Sequence, residues 1–61
     1  MTVHEQILAA VAVYVEENEK FEGKGVKAAA ARARAALGDL GKLSKARRAE
    51  VQEKKNAMAV K

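Results

Sequence analysis

The side chains able to do covalent chemistry are few here, and each lacks the company it would need. The chain of 61 residues holds one histidine, His4, one serine, Ser44, and no cysteine. A hydroxyl becomes a nucleophile only beside a base that a third group orients. Ser44 has no histidine near it in the sequence, so that constellation is missing. The absence of cysteine removes disulfides, thiolate metal sites and cysteine nucleophiles together. A lone histidine cannot build the usual zinc site. His4, directly after a threonine that caps a helix, reads as a solvated first-turn residue rather than a ligand. Tyr14, at helical spacing, reads as a core or interface aromatic. No enzyme, metal site, cofactor or small-molecule substrate is expected.

Charge is the chemistry that remains. Residues 1–22 carry one base against five acids, net −4, whereas residues 23–61 carry eleven bases against three acids, net +8. Sign asymmetry of this kind points to a polyanionic partner for the basic half. At 100° per residue, Lys24, Lys27, Arg34, Lys42, Lys45, Arg48 and Lys55 fall within an arc of about 140°, with no acid among them. Lysine and arginine neutralise phosphates and release condensed counterions, so such a face binds double-stranded DNA without reading its sequence. A lysine-rich outer face is more often only a solubilising surface, and three features argue against that here. The stripe lacks compensating acids, it outruns the first helix, and the acids are segregated into that other helix. The face is read as lacking the asparagine and glutamine that commonly read bases, and aromatics are absent from this half. Two other partners stay open at this point: RNA, whose phosphates are similar, and another protein, for which the helices would be a structural or adaptor module.

Two helices must position that stripe. The chain contains no proline, and strong helix formers fill most positions; the fold class is all-α. Thr2 followed three residues later by Glu5 is a capping box. Val3, Ile7, Leu8, Val11, Tyr14 and Val15 then recur at steps of three and four, which predicts a helix over about 2–21 with one apolar stripe. Glu16 and Lys20 stand at i and i+4. Phe21-Glu22-Gly23-Lys24-Gly25 supplies two glycines, either able to take the left-handed conformation that stops a helix, so a loop is expected over 22–25. A second, longer helix follows over about 26–57 and must overhang the first at its C-terminal end. So short a link favours antiparallel packing.

Gly38 and Gly41 could instead mark a turn, with Ser44 capping a third helix. Phase decides. Val26, Ala29, Ala33, Leu37, Leu40, Leu43, Val51 and Met58 share an arc of about 120°, in register on both sides of the glycines, and a turn would have no reason to preserve it. One continuous helix is therefore expected. Arg32, Arg47 and Lys54 lie on or beside this apolar stripe. They either snorkel or pair with Glu16, Glu17 or Glu19 across the helix interface.

A chain of this size buries only about 60% of its unfolded surface, and disulfides and thiolate-bound metals are excluded. Association is the remedy left. The expectation is an antiparallel helical hairpin, short first helix and long second, pairing as a homodimer into a four-helix bundle. No apolar run approaches the roughly 20 residues needed to span a bilayer, and no secretion signal is evident, so a cytoplasmic, nucleoid location is expected.

The stretch Gly23-Lys24-Gly25-Val26-Lys27-Ala28-Ala29-Ala30-Ala31-Arg32-Ala33-Arg34-Ala35-Ala36-Leu37 resembles the linker-histone-like nucleoid proteins of bacteria, the chlamydial type and its relatives. Leu40, Lys42, Leu43, Lys45, Arg47, Arg48, Glu50, Val51 and Lys54 continue the resemblance, and Glu19-Lys20-Phe21-Glu22 fits the close of that family's N-terminal helix. The resemblance implies non-specific DNA binding and nucleoid compaction. Family members often add a long lysine- and alanine-rich tail. This chain stops at Lys61, so compaction is expected to come from the folded part and its assembly.

Overall fold

A computed structural model describes residues 1–59 and contains two α-helices, α1 over Val3–Lys24 and α2 over Lys27–Ala59. They lie antiparallel as a hairpin. Thr2 caps α1 from an extended conformation. Its Oγ1 accepts from the Glu5 amide at 3.0 Å, and Glu5 Oε1 accepts from the Thr2 amide at 2.9 Å. The capping box thus satisfies two amides that no helical carbonyl can reach.

The far end of α1 differs from the expected boundary. The helix runs to Lys24 rather than closing near residue 21, and the link is Gly25 and Val26 alone rather than 22–25. Gly25 takes the left-handed conformation, φ 69° and ψ 27°, and its amide donates to the carbonyls of Lys20 and Phe21. The Val26 amide adds a bond to the Lys20 carbonyl at 3.2 Å. A residue with a Cβ would pay about 1–2 kcal/mol for that conformation, which is why the helix ends here. Gly23, equally permissive, stays helical.

Helix α2 continues unbroken through Gly38 and Gly41 for 33 residues, two residues beyond the expected end at 57. At about 1.5 Å per residue it spans close to 50 Å, which accounts for the 53 Å long axis of the molecule. Every residue of α2 from Val51 to Met58 is exposed, as an overhang beyond the start of α1 requires.

The hairpin core is narrow. Its buried apolar residues are Ala29, Ala33 and Ala36, one alanine per turn on the same side of α2. Such small side chains let two helix axes approach to the lower end of the usual 8–10 Å range. Opposite them α1 presents Val3, Ile7, Ala10, Tyr14 and Glu17, alternating four- and three-residue steps, with Glu17 buried and the others half-buried. The expected stripes are therefore divided. Leu8, Val11 and Val15 of α1 and Leu37, Val51 and Met58 of α2 are exposed, while Ala36, outside the expected set, is buried. The apolar arcs are wider than one neighbouring helix can cover.

The two broad sides of the hairpin differ. One carries an open groove floored by Ala9, Ala10, Ala35 and Ala36, with Val13 and Leu43 among its walls. Advancing 100° per residue from these positions places Leu8, Val11, Val15 and Leu37 on the other side.

Candidate nucleic-acid interface

The edge of α2 turned away from α1 positions the cations. Lys27, Arg34 and Lys45 are separated by seven and eleven residues, close to two and three helical turns, and so share one line along the rod. Lys42 flanks that line on one side, Arg48 and Lys55 on the other. All six are exposed. Lys24, assigned to the same face in the sequence, is also exposed but belongs to the last turn of α1. The left-handed Gly25 breaks the phase between them, so Lys24 sits at the hinge end and not on the α2 stripe. There it complements the C-terminal end of the α1 dipole.

The cations off the stripe behave differently. Arg32 Nε donates to Glu17 Oε1 across the hairpin. Lys20 Nζ lies 3.4 Å from Glu16 and 3.6 Å from Glu17 Oε2. Arg47 pairs with Glu50, three residues on in its own helix, at 2.9 Å, and not with an acid of α1. Of the three cations weighed for a cross-helix pair in the sequence, Arg32 alone makes one among the described residues, and Glu17 rather than Glu16 or Glu19 receives it. Lys54 is exposed, with no carboxylate within 4.0 Å among the described residues.

Among the described residues Glu17 is the one buried charged residue, at 5% exposure. The Arg32 hydrogen bond holds its carboxyl below the ordinary glutamate range, against the opposing push of desolvation, with the charges of Arg32 and Lys20 adding to the depression. Its Oε2 is buried without a hydrogen bond and relies on Lys20 for compensation. The Glu5 carboxyl is likewise depressed, chiefly by the bond from the Thr2 amide. Both effects stabilise the hairpin, and neither touches the outer edge.

Among the described residues, Lys24, Lys27, Arg34, Lys42, Lys45, Arg48 and Lys55 have no carboxylate within ion-pair distance. Among the described residues the acids hold Lys20, Arg32 and Arg47 and leave the outward cations, and Lys54 in the overhang, unmatched. Near the C-terminal end the face is not purely cationic, contrary to its reading in the sequence. Gln52 and Asn56 fall within the same arc and hydrogen bond to each other at 3.2 Å.

Residues 1–57 match the protein family described as Histone H1-like protein Hc1. The chain belongs to that family. No curated protein and no solved structure matches it. In this Histone H1-like Hc1 chain the described residues contain no cluster of histidine, cysteine, aspartate or glutamate suited to a metal ion. No described helix is long and apolar enough to cross a membrane. His4 and Ser44 are both exposed.

Proposed function

We propose that this chain binds double-stranded DNA without sequence preference and acts as a histone-like, nucleoid-associated protein. Lys27, Arg34, Lys42, Lys45, Arg48 and Lys55 rest on phosphates, Lys24 adds a contact at the hinge end, and the working unit is a homodimer in the nucleoid. The observation that carries this reading is the division of the cations: those facing inward are neutralised by the protein's own acids, and those facing outward are not.

Duplex DNA presents one negative charge per about 1.7 Å of axis. Between Lys27 and Lys55 the edge of α2 extends about 42 Å at 1.5 Å per residue, so a straight rod tangent to the duplex meets phosphates along much of its length. Binding is then driven by counterion release and is indifferent to base identity. Two such edges in one dimer would engage two DNA segments.

Retardation of random duplex DNA, titrated at two salt concentrations, tests this directly. Neutralising about five phosphates per chain sets a slope of log K against log salt near −4.5. Lys45→Glu with Arg48→Glu should abolish retardation while helicity is retained. A slope near zero, or retention of one protein partner with no DNA shift, would assign the chain to an adaptor role instead.

A further inference from the structure

The broad side bearing Leu8, Val11, Val15 and Leu37 is an apolar surface that the hairpin leaves open, with these residues 56%, 41%, 48% and 49% exposed. We propose that a second copy covers it about a two-fold axis parallel to the helices, so that α1 of each copy lies over α2 of the other. The inference rests on the homodimer reading above and supplies its interface and its axis.

The area suits this occupant. The shared length of the helices, 22 residues at about 1.5 Å each, and the 18 Å width of the molecule give a flat footprint near 600 Å². Side-chain relief raises that toward the roughly 800 Å² per partner of a stable interface. A self-complementary patch related by a two-fold axis also closes the assembly, leaving no open end for further copies.

Charge selects the axis. Two arrangements bring these sides together. A two-fold axis across the rod sets α1 on α1 and α2 on α2, whereas one along the rod sets α1 on α2. Both keep neighbouring helices antiparallel, so helix dipoles do not distinguish them. Within Val3–Lys24 five carboxylates face two lysines, net −3. Within Lys27–Ala59 nine bases face three acids, net +6. The first arrangement stacks like on like. The second places an acidic helix over a basic one twice, which is the complementary choice.

The register follows without adjustment, because rotation about the long axis leaves every residue at its own level. The Glu17–Arg32 contact sets that level within one chain. The second copy's Val15 then comes opposite Arg34, within one turn of Leu37. Its Glu19, at the outer margin of the same side, comes level with Ala30, about one turn from both Lys27 and Arg34. Lys42 and Lys45, turned away from the interface, stay available for phosphate. Both α2 overhangs leave the bundle at the same end.

The chain has no cysteine, so single-cysteine cross-linking reads the axis cleanly. Val15→Cys and Leu37→Cys chains, each confirmed helical by circular dichroism, are oxidised separately and as an equimolar mixture. The expected result is several-fold more covalent dimer in the mixture than in either chain alone, and all of it mixed. Equal or greater self-linking of either chain overturns the axis while leaving a dimer in place. No covalent dimer in any sample, with a monomeric mass for the unmodified chain in sedimentation at micromolar concentration, overturns the dimer as well. DNA retardation by that same unmodified chain then tells whether the binding assignment survives on its own.

Discussion

Replacing Gly38 by alanine should stabilise the protein, and the size of the gain can be worked out. Gly38 lies inside α2, and Gly25 is the one glycine with positive φ. A Cβ built at Gly38 meets nothing within 4 Å, so the methyl group enters without strain. Alanine is favoured over glycine in a helix interior by about 1 kcal/mol, largely because the unfolded chain has fewer conformations to lose. For a domain this small, 1 kcal/mol corresponds to a rise in Tm of about 4–8 °C. The assay is thermal unfolding followed at 222 nm, with wild type and variant at one protein concentration, since an associating chain has a concentration-dependent Tm. Gly41 is equally open, and Gly41→Ala should give a similar gain. An unchanged or lower Tm for Gly38→Ala would mean that residues 38–41 form a turn, and the unbroken rod on which the cationic edge depends would fall with it. A gain at Gly38 without one at Gly41 would instead place a contact from outside the hairpin at Gly41.

Other perturbations follow from the same contacts. Thr2→Ala removes one half of the capping box and should cost about 1 kcal/mol, read as a fall in Tm of several degrees with DNA retardation unchanged. The Glu17 carboxyl is held below its ordinary value in the folded hairpin. Its contribution is therefore fully present above the unfolded glutamate value of 4.5 and is lost as pH falls through the lower folded value. Unfolding midpoints followed downward from pH 6 should drop in that window, and Glu17→Gln should flatten the drop; an unchanged profile would separate Glu17 from stability. Lys45→Glu with Arg48→Glu should abolish DNA retardation without lowering helicity, whereas Arg32→Ala, which breaks the buried pair, should lower Tm with a much smaller effect on binding.

Much of this was legible in the sequence, and the misses have physical reasons. Thr2 and Glu5 carry the capping box in their spacing alone, because its geometry is local. The phase of Leu37, Leu40 and Leu43 carried the helix across two glycines, because a rod keeps its periodicity and a turn does not. The choice between Gly23 and Gly25 was not legible, since both are permissive and the deciding bonds from Gly25 and Val26 back to Lys20 and Phe21 form only in the finished turn. Nor was the division of the α1 stripe. Val3, Ile7 and Tyr14 are as apolar as Leu8, Val11 and Val15, and what separates them is which side the alanine line of α2 occupies. Ala36 escaped for a related reason: in an alanine-rich helix, a core alanine and a surface alanine look alike.

The site was legible to the degree that it depends on one helix. Lys27, Arg34 and Lys45 fall on one line because α2 is straight, and no tertiary contact is needed to put them there. Lys24 was misplaced because its assignment crossed a chain reversal, where projection at a fixed angle loses its meaning. Arg32 and Glu17 needed the second helix before either could be paired. The same division explains how a hairpin with so small a core is organised. The alanines of α2 serve the inward contact, where close approach matters more than area, and Leu8, Val11 and Val15 of α1 are left facing outward. A monomer would gain nothing from that arrangement, whereas an associating hairpin gains its second layer of core from it. The cations follow a parallel logic: carboxylates neutralise those beside the core and, among the described residues, none pairs with the outer edge, so the field of the molecule is concentrated where a phosphate backbone would lie. Burial and charge are thus segregated by helix face, and reversing Lys45 and Arg48 tests the charged face without touching the buried one.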